Sequence, residues 1–407
     1  MVTLDLRTSV MVMLSTVAAC TSPGSDPATA DAGSEADAGP LLDAGSPPDA
    51  IQVPGPAAAK FDCDAIQGPP STNRFYEANP TYTDPVDDSA SWTRSTPEAQ
   101  GMDSTQLERA STELASQPFT SSFLVIRHGA LVFERYYHGS AKNQSNNVHS
   151  ASKSIWGAAI GIAIDQGLIA SVDTTIASTL PSRYVEAMSP QAKTMKVRDL
   201  VTMTAGFQWS EDTTETRIQR SPDWIAEILK LPVATTPGTQ FNYSTGNTHL
   251  SSAVLSSVIP TTACEFIHQH LLAPLGIVAE HWGRDPQGYL SGGYNFYVTA
   301  RELAKFGLLY LHDGNWNGTQ LVPAAWVQAS MTNQVEADDP YNYGYNFWLR
   351  DLAGHDVAVA WGFGGQMIYI IKDLDLVVVM TTNTRDFAQD SFDGASIIED
   401  DVIPAVD

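Results

Sequence analysis

Asn147-Val148-His149-Ser150-Ala151-Ser152-Lys153-Ser154-Ile155-Trp156-Gly157 sets a serine and a lysine three residues apart, where a polar stretch gives way to an apolar one. Three residues is close to one helical turn. A helix that begins here carries Ser150 and Lys153 on one face, with Ser150 at the positive end of the helix dipole. A serine hydroxyl is a poor nucleophile until a neighbour takes its proton. A lysine can be that neighbour when its ammonium is desolvated and its pKa falls. Ser-x-x-Lys also arises by chance, as a capping serine beside a surface lysine. Ile155, Trp156, Ala159, Ile160 and Ala163 argue against that here, because a lysine entering so apolar a helix has no easy route to water. His149 adjoins Ser150, yet neighbours on a helix diverge by about 100°, so a supporting position is expected for it rather than that of the base.

Outward from this segment the hydrophobic pattern divides into blocks. Before it, residues 122–137 form two β-rich runs broken by His128-Gly129-Ala130, the mark of a tight hairpin. After it, helical periodicity covers 153–167, 197–203, 222–229, 248–258, 262–272 and 299–311, the last with Thr299 as N-cap. A second β block follows at 345–349, 357–361, 367–371 and 376–382. Strands at both ends enclosing helices predict one α/β (α+β) domain over 95–407: an antiparallel sheet flanked by helices, with an all-helical lobe inserted at about 168–290. No internal repeat is present.

Further motifs stand at ordered separations: Ser95-Thr96-Pro97-Glu98-Ala99-Gln100-Gly101-Met102-Asp103, then Val197-Arg198-Asp199-Leu200-Val201-Thr202-Met203-Thr204-Ala205-Gly206. Pro237-Gly238-Thr239-Gln240-Phe241-Asn242-Tyr243-Ser244 and Gly362-Phe363-Gly364-Gly365-Gln366 complete the set. With Ser150-x-x-Lys153, these resemble the penicillin-recognising serine hydrolases: class C β-lactamases, D-alanyl-D-alanine carboxypeptidases, family VIII esterases and 6-aminohexanoate-dimer hydrolases. The resemblance runs from about Ser95 to the C-terminus and implies a β-lactamase/transpeptidase-like fold. It also implies Ser150 as nucleophile and Lys153 with Tyr243 as the general-base system. A phenol beside a lysine ammonium has its anion stabilised, so Tyr243 is expected to shuttle the Ser150 proton to the leaving group and then activate the deacylating water. Read without the family, Tyr243 is equally an aromatic core partner of Phe241.

The family pattern is broken at two places. Thr245 stands where the Tyr-x-Asn motif has its asparagine, with Asn247 two residues on as a substitute, and Ala360-Trp361-Gly362 stands where β-lactamases carry Lys-Thr-Gly or His-Thr-Gly. Trp361, Gly362, Thr245 and Asn247 are accordingly the expected substrate-binding positions, with Trp361 an apolar wall in place of a carboxylate clamp. The backbone N–H groups of Ser150 and Phe363 are the expected oxyanion hole, Gly365 or Gln366 replacing Phe363 in other registers. Glu211 and Glu215 read as solvated members of a Thr-rich acidic loop.

The function expected is hydrolysis of a small ester or amide through an acyl-enzyme. Its rivals are a non-catalytic penicillin-binding-like module and a β-lactamase or D-alanyl-D-alanine carboxypeptidase. No cofactor is expected. His128, His138 and His249 form no metal-ligand pair, and Cys20, Cys63 and Cys264 include no Cys-x-x-Cys, so no metal is expected. The formal net charge of −24 repels polyphosphate, which makes nucleic acid an improbable partner.

The N-terminal 19 residues read as an export signal: Arg7, then the apolar run from Ser9 to Ala19, too short to span a bilayer. Val17-Ala18-Ala19-Cys20 resembles a bacterial lipobox, which implies acylation of Cys20, a membrane-lipid partner and a place on the cell envelope, at the periplasmic face or outer membrane; a plain cleaved signal is the other reading. Thr21 to Lys60 consists of Ala, Gly, Ser, Pro, Asp, Thr and Glu at all but six positions, the composition of an acidic tether that buries no core. An extension over 61–94 leads into the domain. Cys63 and Cys264 are expected either to pair in an oxidising compartment or to remain two thiols.

Overall fold

In the computed structural model, which describes residues 62–66, 92–384, 392 and 394–406, the early β-rich stretch is a hairpin of β1 (Thr120–Arg127) and β2 (Ala130–Tyr136). His128 and Gly129 join them at φ 48° and 70°. Two successive left-handed residues make the turn whose twist matches that of its strands. Six later strands join it in one sheet: β3 (Val335–Glu336), β4 (Asn342–Tyr343), β5 (Trp348–Leu352), β6 (His355–Gly362), β7 (Gln366–Ile371) and β8 (Leu376–Thr382). The sheet order is β2-β1-β8-β7-β6-β5-β4-β3, antiparallel throughout. Because β1 pairs with β8, Leu124 opposite Val379, the two ends of the domain close one sheet, and the expected fold class is borne out.

Of four longer helices, α1 (Ser104–Ser116), α2 (Ser152–Asp165) and α4 (Ala300–Leu311) cover it, and α3 (Thr245–Val258) packs against α2. Strand alternation divides the core in two. Leu124, Ile126, Ala358, Ala360, Ile368, Val377 and Val379 pack with α2 and α4 on one face. Phe123, Val125, Val357, Val359, Met367 and Val378 pack with α1 and the segment 395–403 on the other. α2 is buried along almost its whole length, including Lys153 at 1% exposure, so no side of it offers that ammonium to solvent.

Differences from the expected boundaries have identifiable causes. α3 begins at Thr245 rather than 248 because Ser244 caps it, its side chain accepting from the N–H of Asn247. The strand expected at 345–349 starts at Trp348: the Asn346 N–H donates to the Val201 carbonyl and Asn346 adopts φ 58°, which turns the chain out of the sheet first. Pattern reading passed over α1 and the helices Thr214–Gln219 and Ala324–Ser330. The first carries a polar majority and the other two are too short for periodicity to register. The lipobox cysteine, signal and tether lie outside the described residues. Among the described residues no single helix is long and apolar enough to cross a membrane.

Cys63 and Cys264 form a disulfide across 201 residues of sequence, joining the short helix Cys63–Ile66 to the helix Ala263–Ile267. Of the two alternatives left by the sequence, the paired form is the one present. Cross-links over long loops stabilise mainly by restricting the unfolded chain, by roughly 2 to 4 kcal/mol. Replacing Cys264 with Ala should lower the melting temperature by roughly 4–10 °C in thermal unfolding. Reductant should lower it similarly in the parent chain and leave the variant unchanged.

Candidate active site

Ser150 sits on a single 3-10 turn, His149–Ala151, that feeds directly into α2. The chain reaches that turn from the short strand Ser145–Asn147, and His149 makes the corner at φ 45°. The corner is held by Asn147, whose Oδ1 accepts from the N–H groups of both His149 (3.1 Å) and Asn295 (3.0 Å). One turn later Lys153 donates from Nζ to Ser150 Oγ at 2.8 Å, the contact that their spacing predicted. Ser150 is partly exposed while Lys153 is buried, so the hydroxyl is reachable from outside and its neighbour is not.

Tyr243 arrives from the segment that leads into α3. Asn242 fixes that segment: its N–H donates to the Met203 carbonyl (2.8 Å), and its side-chain amide donates to the carbonyls of Phe207 (3.2 Å) and Trp209 (3.4 Å). The Lys153 Nζ lies 4.9 Å from the centre of the Tyr243 ring. Burial pushes the phenol of Tyr243 far above its ordinary value, the charge of Glu211 pushes it further, and a hydrogen bond with Ser150 opposes them. Burial and the Glu211 charge thus favour the phenol form of Tyr243, against the phenolate expected from the lysine alone.

Thr245 takes a position no substrate-binding reading gave it. Its Oγ1 accepts from Lys153 Nζ at 2.9 Å and donates to Glu211 Oε2 at 2.8 Å. Glu211 Oε1 accepts from the Thr245 N–H (2.7 Å) and the Trp209 indole N–H (2.6 Å). Glu215 is buried on the helix Thr214–Gln219, accepting from the Gln219 amide at 3.0 Å. The reading of Glu211 and Glu215 as solvated was wrong: the loop folds back onto α3, where backbone and indole donors hold the carboxylate. The only signal was Trp209 two residues before Glu211 in an otherwise polar stretch. Asn247 does not replace the missing asparagine. It is buried within α3, its amide 3.9 Å from the Met203 sulfur, because two residues along a helix turn a side chain by about 200°.

On the opposite side β6 ends at Gly362 against the turn that carries Ser150. A Cβ at Gly362 would lie 2.2 Å from the Val148 carbonyl oxygen and 3.1 Å from the Ala151 nitrogen, so only glycine allows this approach. Phe363 follows at once, its ring 5.5 Å from that of His149, the residue before Ser150. Of the other two donors considered, the Gly365 N–H donates to the Gly362 carbonyl (3.1 Å) and Gln366 pairs with Gly362 in the ladder, leaving Phe363 as the residue at the mouth of the turn. Trp361 is half-buried. It packs on Trp348 (6.0 Å) and Tyr341 (5.6 Å), and Trp348 stacks in turn on Tyr243 (5.2 Å), so the apolar wall is a row of rings. Among the described residues no group of three His, Cys, Asp or Glu side chains could hold a metal.

A family model described as Beta-lactamase matches residues 114–401. The chain is similar to the 6-aminohexanoate-dimer hydrolase of Paenarthrobacter ureafaciens, 24% identical over 300 residues that cover 66% of this chain and 73% of that protein. Its fold is similar to that of a penicillin binding protein from Bacillus halodurans, with TM-score 0.54 and 17% identity over 74% of this chain and 99% of the other. It is also similar to EstCE1, described as a hydrolase with promiscuous acyltransferase activity, with TM-score 0.59 and 15% identity over 74% of this chain and 98% of the other.

One residue absent from the sequence reading bears directly on Lys153. A Cβ at Gly293 would lie 2.6 Å from Lys153 Nζ and 3.1 Å from the Thr245 methyl, and the backbone of Gly293 is not left-handed, so alanine there crowds the lysine first and Thr245 less. Gly293→Ala should leave the melting temperature within a few degrees of the parent. It should slow labelling of Ser150 by a fluorophosphonate by about a hundredfold, the cost of displacing a reacting group by roughly 1 Å.

Proposed function

We propose, from the premise that this chain belongs to the β-lactamase family, that it is a serine hydrolase cleaving carboxylic esters or amides through an acyl-enzyme on Ser150. The observation that carries the reading is the 2.8 Å hydrogen bond from a buried lysine to a serine hydroxyl that is itself accessible. Ser150 Oγ attacks the substrate carbonyl as its proton passes to the neutral amine of Lys153. The carbonyl π electrons move onto oxygen, where the N–H groups of Ser150 and Phe363 receive the charge. Collapse of the tetrahedral intermediate breaks the bond to the leaving alcohol or amine, which is protonated by the Tyr243 phenol; Lys153 returns its proton to Tyr243. Water then attacks the acyl-enzyme by the same path, releasing the acid and restoring the Ser150 hydroxyl.

The substrate class follows from the rim. Ala360 and Trp361 supply neither the cation nor the hydroxyl of a Lys-Thr-Gly clamp, and Thr245 is engaged with Lys153 and Glu211. The aromatic row of Trp361, Trp348 and Tyr341 favours an uncharged, apolar substrate. A β-lactam would forgo one charge-assisted and one neutral hydrogen bond, together about 2 to 4 kcal/mol. We further propose that the mature chain is held at the cell envelope by acylated Cys20 and reaches its substrate on the acidic tether.

Two measurements test these readings. The kcat/KM for p-nitrophenyl butyrate should exceed that for nitrocefin by roughly 10² to 10³, and Ser150→Ala should abolish both; ester turnover that survives Ser150→Ala, or equal rates on the two substrates, overturns the assignment. In cell fractionation, Cys20→Ser should move the protein from membranes to the soluble fraction with its ester activity unchanged. Equal membrane retention of the variant rules out the anchor.

A further inference from the structure

The geometry points to Glu211, acting through Thr245, as a positioning residue that sets the pH range in which Lys153 can take the proton of Ser150. The inference rests on the reading of Ser150 as nucleophile and Lys153 as its base. Thr245 has one hydroxyl proton, and that proton is directed to Glu211 Oε2 at 2.8 Å. Its lone pairs therefore face Lys153, which donates to them at 2.9 Å. Glu211 is fixed as the acceptor at the end of this chain, since its other oxygen receives the Thr245 N–H and the Trp209 indole N–H. Each bond polarises the next. The result is a half-buried carboxylate two hydrogen bonds from a lysine nitrogen that is itself 1% exposed, so solvent screens the interaction only on the Glu211 side.

The consequence falls on the charged form of Lys153. When the amine takes the Ser150 proton it becomes an ammonium, and the Glu211 carboxylate stabilises that ammonium through the Thr245 hydroxyl. Lys153 is thereby a stronger base than burial alone would leave it, much as a carboxylate stabilises the imidazolium of a Ser-His-Asp triad. Lys153 also faces Ser150 on its own turn and Tyr243 ahead of α3, and Tyr243 and Glu211 in turn interact with Glu215 on the helix Thr214–Gln219 and with Tyr294 and Tyr343, whose phenols burial also raises. The Glu211 charge disfavours the Tyr243 phenolate as well. Removing that charge lowers the proton affinity of both groups, so the direction of the shift is the same whichever of them is followed.

The test follows the rate of Ser150 labelling by a fluorophosphonate across pH in the full chain, a readout that requires an activated serine and no turnover. In Glu211→Gln the midpoint of the rising limb should move down by about one pH unit or more, and the plateau should fall about tenfold because the base is weaker. Thr245→Val, which keeps the side-chain shape and removes the hydroxyl, should give the same shift, and Thr245→Ser should return the midpoint to that of the parent. The midpoint does not depend on how much of a sample is folded, and the Thr245 pair decides the matter even where Glu211→Gln does not fold. A plateau that falls with an unmoved midpoint reduces Glu211 to a purely structural residue and overturns the inference while leaving the hydrolase reading intact. A parent chain whose Ser150 is unlabelled at every pH overturns the hydrolase reading, and this inference with it.

Discussion

The burial of one lysine nitrogen organises this site. Lys153 stands in the first turn of a helix with almost every side chain in the core, so its nitrogen must find its partners inside the protein. A buried polar group left without them costs about 1 to 3 kcal/mol, and more when it is charged. The neighbouring elements are shaped to that need. Ser150 and Thr245 each supply an oxygen within 3 Å, and Gly293 supplies no side chain at all where one would strike Nζ. The strip carrying Gly293 is itself tied to α2, because the indole N–H groups of Trp156 and Trp282 both donate to the Ser291 carbonyl at 3.0 Å. The apolar character of α2, which makes it a core helix, is thus also what makes Lys153 chemically unusual.

The second constraint is the contact between β6 and the nucleophile turn. With Gly362 against the Val148 carbonyl, the distance between the sheet and Ser150 is set by backbone on backbone, with no side chain to yield. β6 is an interior strand, paired on both sides by β5 and β7, so it cannot move without breaking two ladders. A donor placed at Phe363 inherits that rigidity. Such pre-organisation is what an oxyanion site requires, since its dipoles should need no rearrangement as charge develops.

Which features could be read in the sequence depends on the range of the interactions that make them. The hairpin at His128-Gly129, the cap at Thr299 and the pairing of Ser150 with Lys153 are local, decided within a turn or a few residues, and their patterns survive in one dimension. The antiparallel sheet followed from alternation at both ends of the chain. Glu211 was misread because its partners are Thr245, 34 residues away, and a backbone N–H that has no sequence signature. Asn247 was misread for the opposite reason: proximity in sequence suggested a substitute, and helical geometry turned it toward Met203. Tyr243 was placed beside Lys153 by resemblance, but its protonation depends on burial and on Glu211, neither of which a motif records.

The proton chemistry and the substrate surface belong to different elements. Ser150, Lys153, Thr245 and Glu211 are joined by hydrogen bonds between α2, α3 and the loop that precedes the helix Thr214–Gln219. Trp361, Trp348 and Tyr341 belong to β6, β5 and the turn before β4, and are joined by ring contacts. Tyr243 touches both sets: the lysine nitrogen lies over one part of its environment and Trp348 stacks on its ring. A substitution among the rim rings can therefore alter which substrate is held without breaking any bond that tunes the base, provided the packing on Tyr243 is kept. That separation lets the ring surface change while the hydrogen-bonded set of Ser150, Lys153, Thr245 and Glu211 is kept.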